Sequence, residues 1–295
     1  MQSMYGVGGE HDLSERELAH LVGWRNNRPV RIGTDSPLFR PHGVYGTVLD
    51  GAYRWRNQQG EWTSGTADLL VSLADAAERH WQEPDFGMWH VHDEARHYVH
   101  SKLMCWIALD RASRLAVDFG VPERAATWTA AAESIRAVIL AKGWNGRARS
   151  YTQAFGSKGL DASVLMMATT GFLPATDPRM RSTIESVATR LAAKCGLLHR
   201  FEGDDGPEGR ESASLLCSYW LAECWALAGE PGRARDVFES ASAYANDVGL
   251  LGEQAEHETG ELLGNYPQAS SHVGLINAAW AIARAEDPGV LNTDA

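Results

Sequence analysis

The 295-residue sequence predicts an all-α fold, and two observations carry that expectation. Apolar residues recur three and four apart through nearly the whole chain, which is the period of a helix with one buried face. Helix stop and start signals fall between these periodic stretches, and no run shows the strict alternation of a half-buried strand. About nine helices are expected, over 40–56, 64–82, 98–119, 123–141, 159–171, 178–195, 211–229, 232–246 and 268–285.

In 64–82, Leu69, Leu70, Leu73 and Ala77 mark one face, and in 98–119 Leu103, Trp106, Ile107, Leu109 and Leu115 do the same. Pro122 follows Gly120 and opens the next helix. Asp177-Pro178 reads as an N-cap followed by proline at the first helical position. Gly143, Gly171 and Gly229 stand where helices end, and Pro231 starts another. With no low-complexity linker, residues 1–295 read as one all-α domain. The non-periodic loops 20–40, 83–97, 142–158, 196–211 and 247–267 are where chemistry is expected.

Composition narrows the function classes. The chain is 44% hydrophobic and 22% charged, enough for a sizeable core. Its net charge of −11 argues against nucleic acid and anionic membranes as partners. No stretch approaches the roughly 18 apolar residues that span a bilayer, and the N-terminus lacks the features of a signal peptide, so a cytoplasmic protein is expected. Cys105, Cys195, Cys217 and Cys224 match no zinc or redox spacing and read as reduced thiols. Eleven tryptophans exceed ordinary usage; flat indoles suit the apolar faces of sugar rings, although most of them pack helices. Trp55, Trp81, Trp89 and Trp144 are the ones expected nearest a cleft.

Two loops are dense in chemistry-bearing residues. The first runs EPDFGMWH (83–90) into VHDEARHYVHSK (91–102), and the second GLLGEQ (249–254) into GNYPQASSH (264–272). Together with ARHYVHSKLMCWIALDRA (95–112), RNNRPVRIG (25–33), KGWN (142–145), QAFGSKGLDAS (153–163), GFLPATDPR (171–179), LCSYWLAECWALAG (216–229) and TGELLGNYPQASSHVGLINAA (259–279), these resemble, in order, the segments of glycoside hydrolase family 15, the glucoamylase and trehalase type. The resemblance covers most of residues 25–285.

It implies the C-terminal portion of an (α/α)6 barrel, left incomplete at about nine of twelve helices. It also implies inverting hydrolysis of a small α-glucoside without a cofactor. Inversion needs a carboxylic acid to protonate the leaving oxygen and a carboxylate base to activate water, about 6.5–9.5 Å apart. Glu253 matches the family's base. By the same resemblance Trp89, Arg96, Lys102, Arg200, Glu211 and Tyr45 are expected to bind the sugar.

The chain departs from the family at four places. Where the family has its acid, directly after the Trp of GxWE, this chain has His90. Imidazolium would bring positive charge towards a forming oxocarbenium ion, and losing a general acid costs about 10²–10⁴ in rate. Asp93 or Glu94, three and four residues on, can substitute if the loop is remodelled. Ser214 replaces an aromatic before LLC. Gly43 and Thr47 replace an Asp and a Glu around Tyr45-Gly46. A segment like WDYRYCWLRDA is missing, so either the barrel is open or another chain, as a homodimer partner or a separate N-terminal half, supplies the wall.

Two other readings remain open at this point. One is a repurposed barrel using His90 and Glu253 for a non-hydrolytic dehydration, isomerisation or cyclisation, since His titrates near neutrality. The other is a non-catalytic sugar-binding or scaffold subunit. His90, His92, His97 and His100 invite a metal reading, but His97 matches a position that the family uses without metal, so no metal is expected.

Overall fold

The computed structural model describes residues 5–33, 42–58, 62–89, 95–202, 212–256, 259–287 and 289. Its helices are α1 (Gly43–Asn57), α2 (Ser64–His80), α3 (Val99–Leu115), α4 (Ala125–Lys142), α5 (Met166–Thr169), α6 (Pro178–Arg190), α7 (Leu215–Leu227), α8 (Pro231–Ser242) and α9 (Ala269–Glu286). The short strands are β1 (Arg16–Glu17), β2 (Arg31–Ile32), β3 (Trp144–Asn145), β4 (Ser150–Tyr151), β5 (Ala213–Ser214), β6 (Gln254–Ala255) and β7 (Leu262–Leu263).

The helices form two layers. An inner row runs α1, α3, α5, α7, α9, with α1 against α3, α5 against α7 and α7 against α9. Outside it, α2 and α4 pack on α3, α6 packs on α7, and α8 packs on α7 and α9. The middle of the row is buried almost all round: α3 from Val99 to Leu109, and α7 through Leu215, Cys217, Tyr219, Leu221, Cys224 and Trp225. A helix apolar on every side, as α7 is, belongs inside a layered core. Among the described residues the row ends in α1 and α9, which pack mainly on α3 and α7 respectively. On α9, Ser271, Gly274, Ala278 and Ile282 are buried, whereas Val273, Ile276 and Trp280, at three and four spacing, are more than half exposed.

Local chemistry sets the boundaries. The Asp177 carboxylate accepts from the amides of Arg179 and Met180 at 2.9 and 3.2 Å, with Pro178 at the first position, as that pair predicts. Pro231 opens α8. Pro122 opens a short 3₁₀ turn ahead of α4. Three expectations shift. The segment 159–171 is mostly not α-helix, because Asp161 caps a 3₁₀ turn over Ala162–Leu165 before the four-residue α5. The helix expected from 211 starts at Leu215, because Ala213 and Ser214 pair as strand and the Ser214 hydroxyl caps α7 through the Cys217 amide at 3.3 Å. Leu69 leaves the predicted face of α2 and is 46% exposed, while Leu70, Leu73 and Ala77 are buried.

Tyr45-Gly46 stands where α1 crosses α3. A Cβ at Gly46 would lie 2.4 Å from the Met104 carbonyl oxygen and 2.9 Å from its Cα, so only glycine permits this approach. Gly46→Val is expected to cost about 1–3 kcal/mol of stability in urea unfolding, as overpacking against backbone does; a cost near zero would show that the helices separate freely.

Candidate active site

The strands and isolated bridges form a belt around one end of the inner row. Asp85 pairs with Arg96, Tyr98 with Ala154, Asp161 with Phe201, and Leu198 with Ser214. Ser214 then pairs with Gln254, and Gln254 with Leu263. Each inner helix begins beside this belt: α3 after Tyr98, the 3₁₀ turn after Asp161, and α7 after Ser214. At α9, the Gln268 amide donates to the Leu251 carbonyl. Helix N-termini and the loops between them therefore converge at one end, where backbone donors and loop side chains are available for function.

The loop 83–89 is held from below. The fully buried Lys102 donates through Nζ to the carbonyls of Trp81, at 2.6 Å, and of Glu83. Asp85 and Arg96 exchange backbone hydrogen bonds at 3.0 and 2.7 Å. The Asp85 carboxylate accepts from the Gly87 amide at 3.3 Å and lies 3.7 Å from Nδ1 of the buried His42. Gly87 has φ 71°, and a Cβ there would press on the Tyr98 ring at 3.0 Å, so the glycine of EPDFG is required. Burial lowers the pKa of His42, against the pull of Asp85, and pushes His100 down to about 4. Tyr45, half-buried, stacks on His42 with centroids 6.1 Å apart.

On this frame stands Trp89. Its indole Nε1 donates to both carboxylate oxygens of Asp161 at 3.1 Å. The Arg200 guanidinium carbon lies over its ring, 5.4 Å from the centroid, a cation–π distance. The Trp220 ring tilts against it at 6.4 Å. Asp161 is 3% exposed, and burial raises its pKa, against hydrogen bonds from Ser163, Trp89 and Gln153.

Glu253 immediately precedes β6. Its backbone N–H donates to Asn265 at 3.0 Å, and its carboxylate Oε2 accepts from the Asn265 amide at 3.1 Å. Its carbonyl accepts from the Leu215 amide, tying it to the start of α7. Arg25 of the RNNRPVRIG segment bonds Glu261 at 2.7 Å beside β7.

Of the expected residues, the structure brings Trp89 and Arg200 into contact and sets Glu253 on the same belt. Arg96 and Lys102 stand in the frame that holds the Trp89 loop, with the Lys102 ammonium taken by carbonyls. His90, His92, Asp93, Glu94 and Glu211 lie outside the described residues. Trp55 is 57% exposed on α1, and Trp144 packs on Tyr151 under Arg179. Trp81 lines another cleft, of about 320 Å³, with His97, Lys102, Lys142 and Phe155. No group of three or more metal-ligating side chains occurs among the described residues.

Sequence reasoning missed Asp161, Trp220 and Glu223. Asp161 stands in the matched segment QAFGSKGLDAS, and the other two in LCSYWLAECW, where spacing puts Trp220 and Glu223 on one face of α7.

The two-layered helical array with loops gathered at one end is the architecture of the six-hairpin glycosidases. The model of the glycosyl hydrolases family 15 matches residues 1–280, and the chain belongs to that family. It is 42% identical over 290 residues to a trehalase of Mycolicibacterium smegmatis, covering 97% of this chain and 43% of that protein. A trehalase of Thermoplasma volcanium is 32% identical over 279 residues, covering 95% and 45%. The chain thus spans less than half the length of these relatives. Among solved structures, a glycosidase in complex with glucose superposes with a TM-score of 0.75 at 20% identity, over 88% of this chain and 72% of that one. A Saccharomycopsis fibuligera glucoamylase does so with a TM-score of 0.58 at 13% identity, over 73% and 61%. These likenesses establish the (α/α)6-barrel fold, of which the chain forms an incomplete part.

Glu223, one turn along α7 from Trp220, has its carboxyl pushed up to about 7 by burial, with Arg54 of α1 opposing. A raised carboxyl pKa favours the folded state fully below its ordinary value near 4.5, and that contribution is lost as pH rises through about 7. Glu223→Gln is therefore expected to be more stable than the parent at pH 8, by about 2–3 kcal/mol, with little gain at pH 4. Denaturant unfolding at both pH values checks this, and equal differences would place the carboxyl in water.

Proposed function

We propose that the chain is the C-terminal catalytic portion of an inverting α-glucoside hydrolase, acting on trehalose, with Glu253 as the base. The observation that carries the reading is the placement of the Glu253 carboxylate on the belt that also carries Trp89 and Arg200. The base must be ionised and held. The Asn265 amide at 3.1 Å holds Glu253 Oε2 and leaves the other oxygen to take a proton from water. The Trp89 indole, with Arg200 on one face, offers a platform for the apolar face of a glucose ring. The names of the relatives suggest trehalose, and no cofactor is required. All four cysteines are free thiols, which suits a cytoplasmic protein, and no helix among the described residues is long and apolar enough to cross a membrane.

Glucose release from trehalose, with maltose and maltotriose alongside, tests the reading. Release that falls at least about 10²-fold in Glu253→Gln is expected, in line with loss of a general base. No release by the folded protein either alone or with the unmatched part of the M. smegmatis trehalase, or release indifferent to the substitution, would sink it. His90→Glu is expected to raise the rate by about 10²-fold or more, since it restores a carboxylic acid after Trp89. An unchanged rate in a well-folded variant would show that the leaving oxygen takes its proton elsewhere.

We also propose that the open side of the row, with Val273, Ile276 and Trp280 on α9, is covered by helices of the family's N-terminal half. The support is the exposed apolar face together with the length of the relatives beyond the match. Sedimentation should give a one-to-one complex with the unmatched part of the M. smegmatis trehalase, lost in Trp280→Glu. A stable homodimer of the chain alone would instead assign that face to a second copy.

A further inference from the structure

We propose that Asp161 is the positioning residue of the sugar platform: its carboxylate fixes the edge of Trp89, and its backbone fixes the segment whose Arg200 covers the face of Trp89. This rests on Trp89 being the sugar platform, and it adds a residue that stands apart from the acid and the base.

Three contacts converge on it. Both carboxylate oxygens accept from the Trp89 Nε1 at 3.1 Å. One of them also accepts from the Ser163 amide at 2.8 Å, which starts the 3₁₀ turn and holds the carboxylate still. The chain around Asp161 pairs with the Arg200 segment on both sides: the Ala162 amide donates to the Arg200 carbonyl at 2.8 Å, and the Glu202 amide to the Leu160 carbonyl at 3.0 Å. A tryptophan needs only burial to be placed roughly. A bifurcated hydrogen bond to a fully buried carboxylate also fixes the rotation of the ring about its side-chain bonds. That rotation decides whether the indole face meets Arg200 on one side and ligand on the other. Misplacement of such a surface by about 1 Å is enough to cost binding and rate.

The test uses the whole chain and its indole N–H resonances. Trp89→Phe assigns the Trp89 signal by its disappearance. Asp161→Asn keeps the size of the side chain and one oxygen to cap the 3₁₀ turn, but takes away the second acceptor and the charge. Its Trp89 N–H is expected to move and to exchange faster with water, and the affinity for trehalose and glucose, titrated by NMR, to fall about tenfold. Trp89→Phe keeps a ring but loses the donor, so it should weaken sugar binding to a similar degree. The double variant should then be no worse than either single one. If Asp161→Asn does not fold, Trp89→Phe carries the test alone, and unaltered sugar affinity in it overturns the proposal. An unmoved Trp89 resonance in folded Asp161→Asn overturns it as well, as does strict additivity of the two substitutions. A parent chain that binds neither sugar refutes the hydrolase reading instead, and the resonance of Asp161→Asn still decides whether Asp161 places the indole.

Discussion

A carboxylate that is 3% exposed has lost its water, and such a group costs several kcal/mol unless donors surround it. Asp161 meets that demand with the Ser163 amide, the Trp89 indole and Gln153, groups from three separate stretches of the chain. The requirement works in both directions. The loops must come together to satisfy the carboxylate, and once together they set the indole under the Arg200 guanidinium. The belt of short strands from Asp85 to Leu263 extends the same logic around the end of the inner row.

Stability and function divide the chain accordingly. The helices supply burial: α3 and α7 are buried nearly all round and form the middle of the inner row. The loops supply polar contacts held by few, specific bonds. Lys102 shows how the two meet. It sits in the core at the start of α3, and its ammonium holds the Trp81 and Glu83 carbonyls, so the loop bearing Trp89 is anchored directly to the core. Buried polar groups of this kind are costly to leave unpaired, which gives the loop little freedom.

Much of the fold was legible because helix period and punctuation are local. Asp177-Pro178 and Pro231 opened helices where expected, and Gly46 was part of a recognisable motif whose reason is the backbone of Met104. The errors were local signals overridden by neighbours. Residues 159–171 carry apolar spacing, but Asp161 is recruited to cap a 3₁₀ turn. Ala213 and Ser214 look like the start of a helix, but the Gln254 strand pairs with them first.

The site divides in the same way. Glu253, Trp89 and Arg200 were candidates because they stand in segments whose identity and order match a known family, and the tertiary structure sets the latter two in contact. Asp161 was not, because a single acid in a loop reads as solvated unless its burial is known. Trp220 and Glu223 were not, because facing inward is a property of where α7 lies in the row. By itself, the sequence determined the helical period, the boundaries set by proline, glycine and capping side chains, and the kinds of residue in each loop. These depend on neighbours a few residues away. Only the tertiary structure decided which loops meet and which polar groups leave water, because desolvation and hydrogen bonding there join residues far apart in the chain, as Trp89 and Asp161 are.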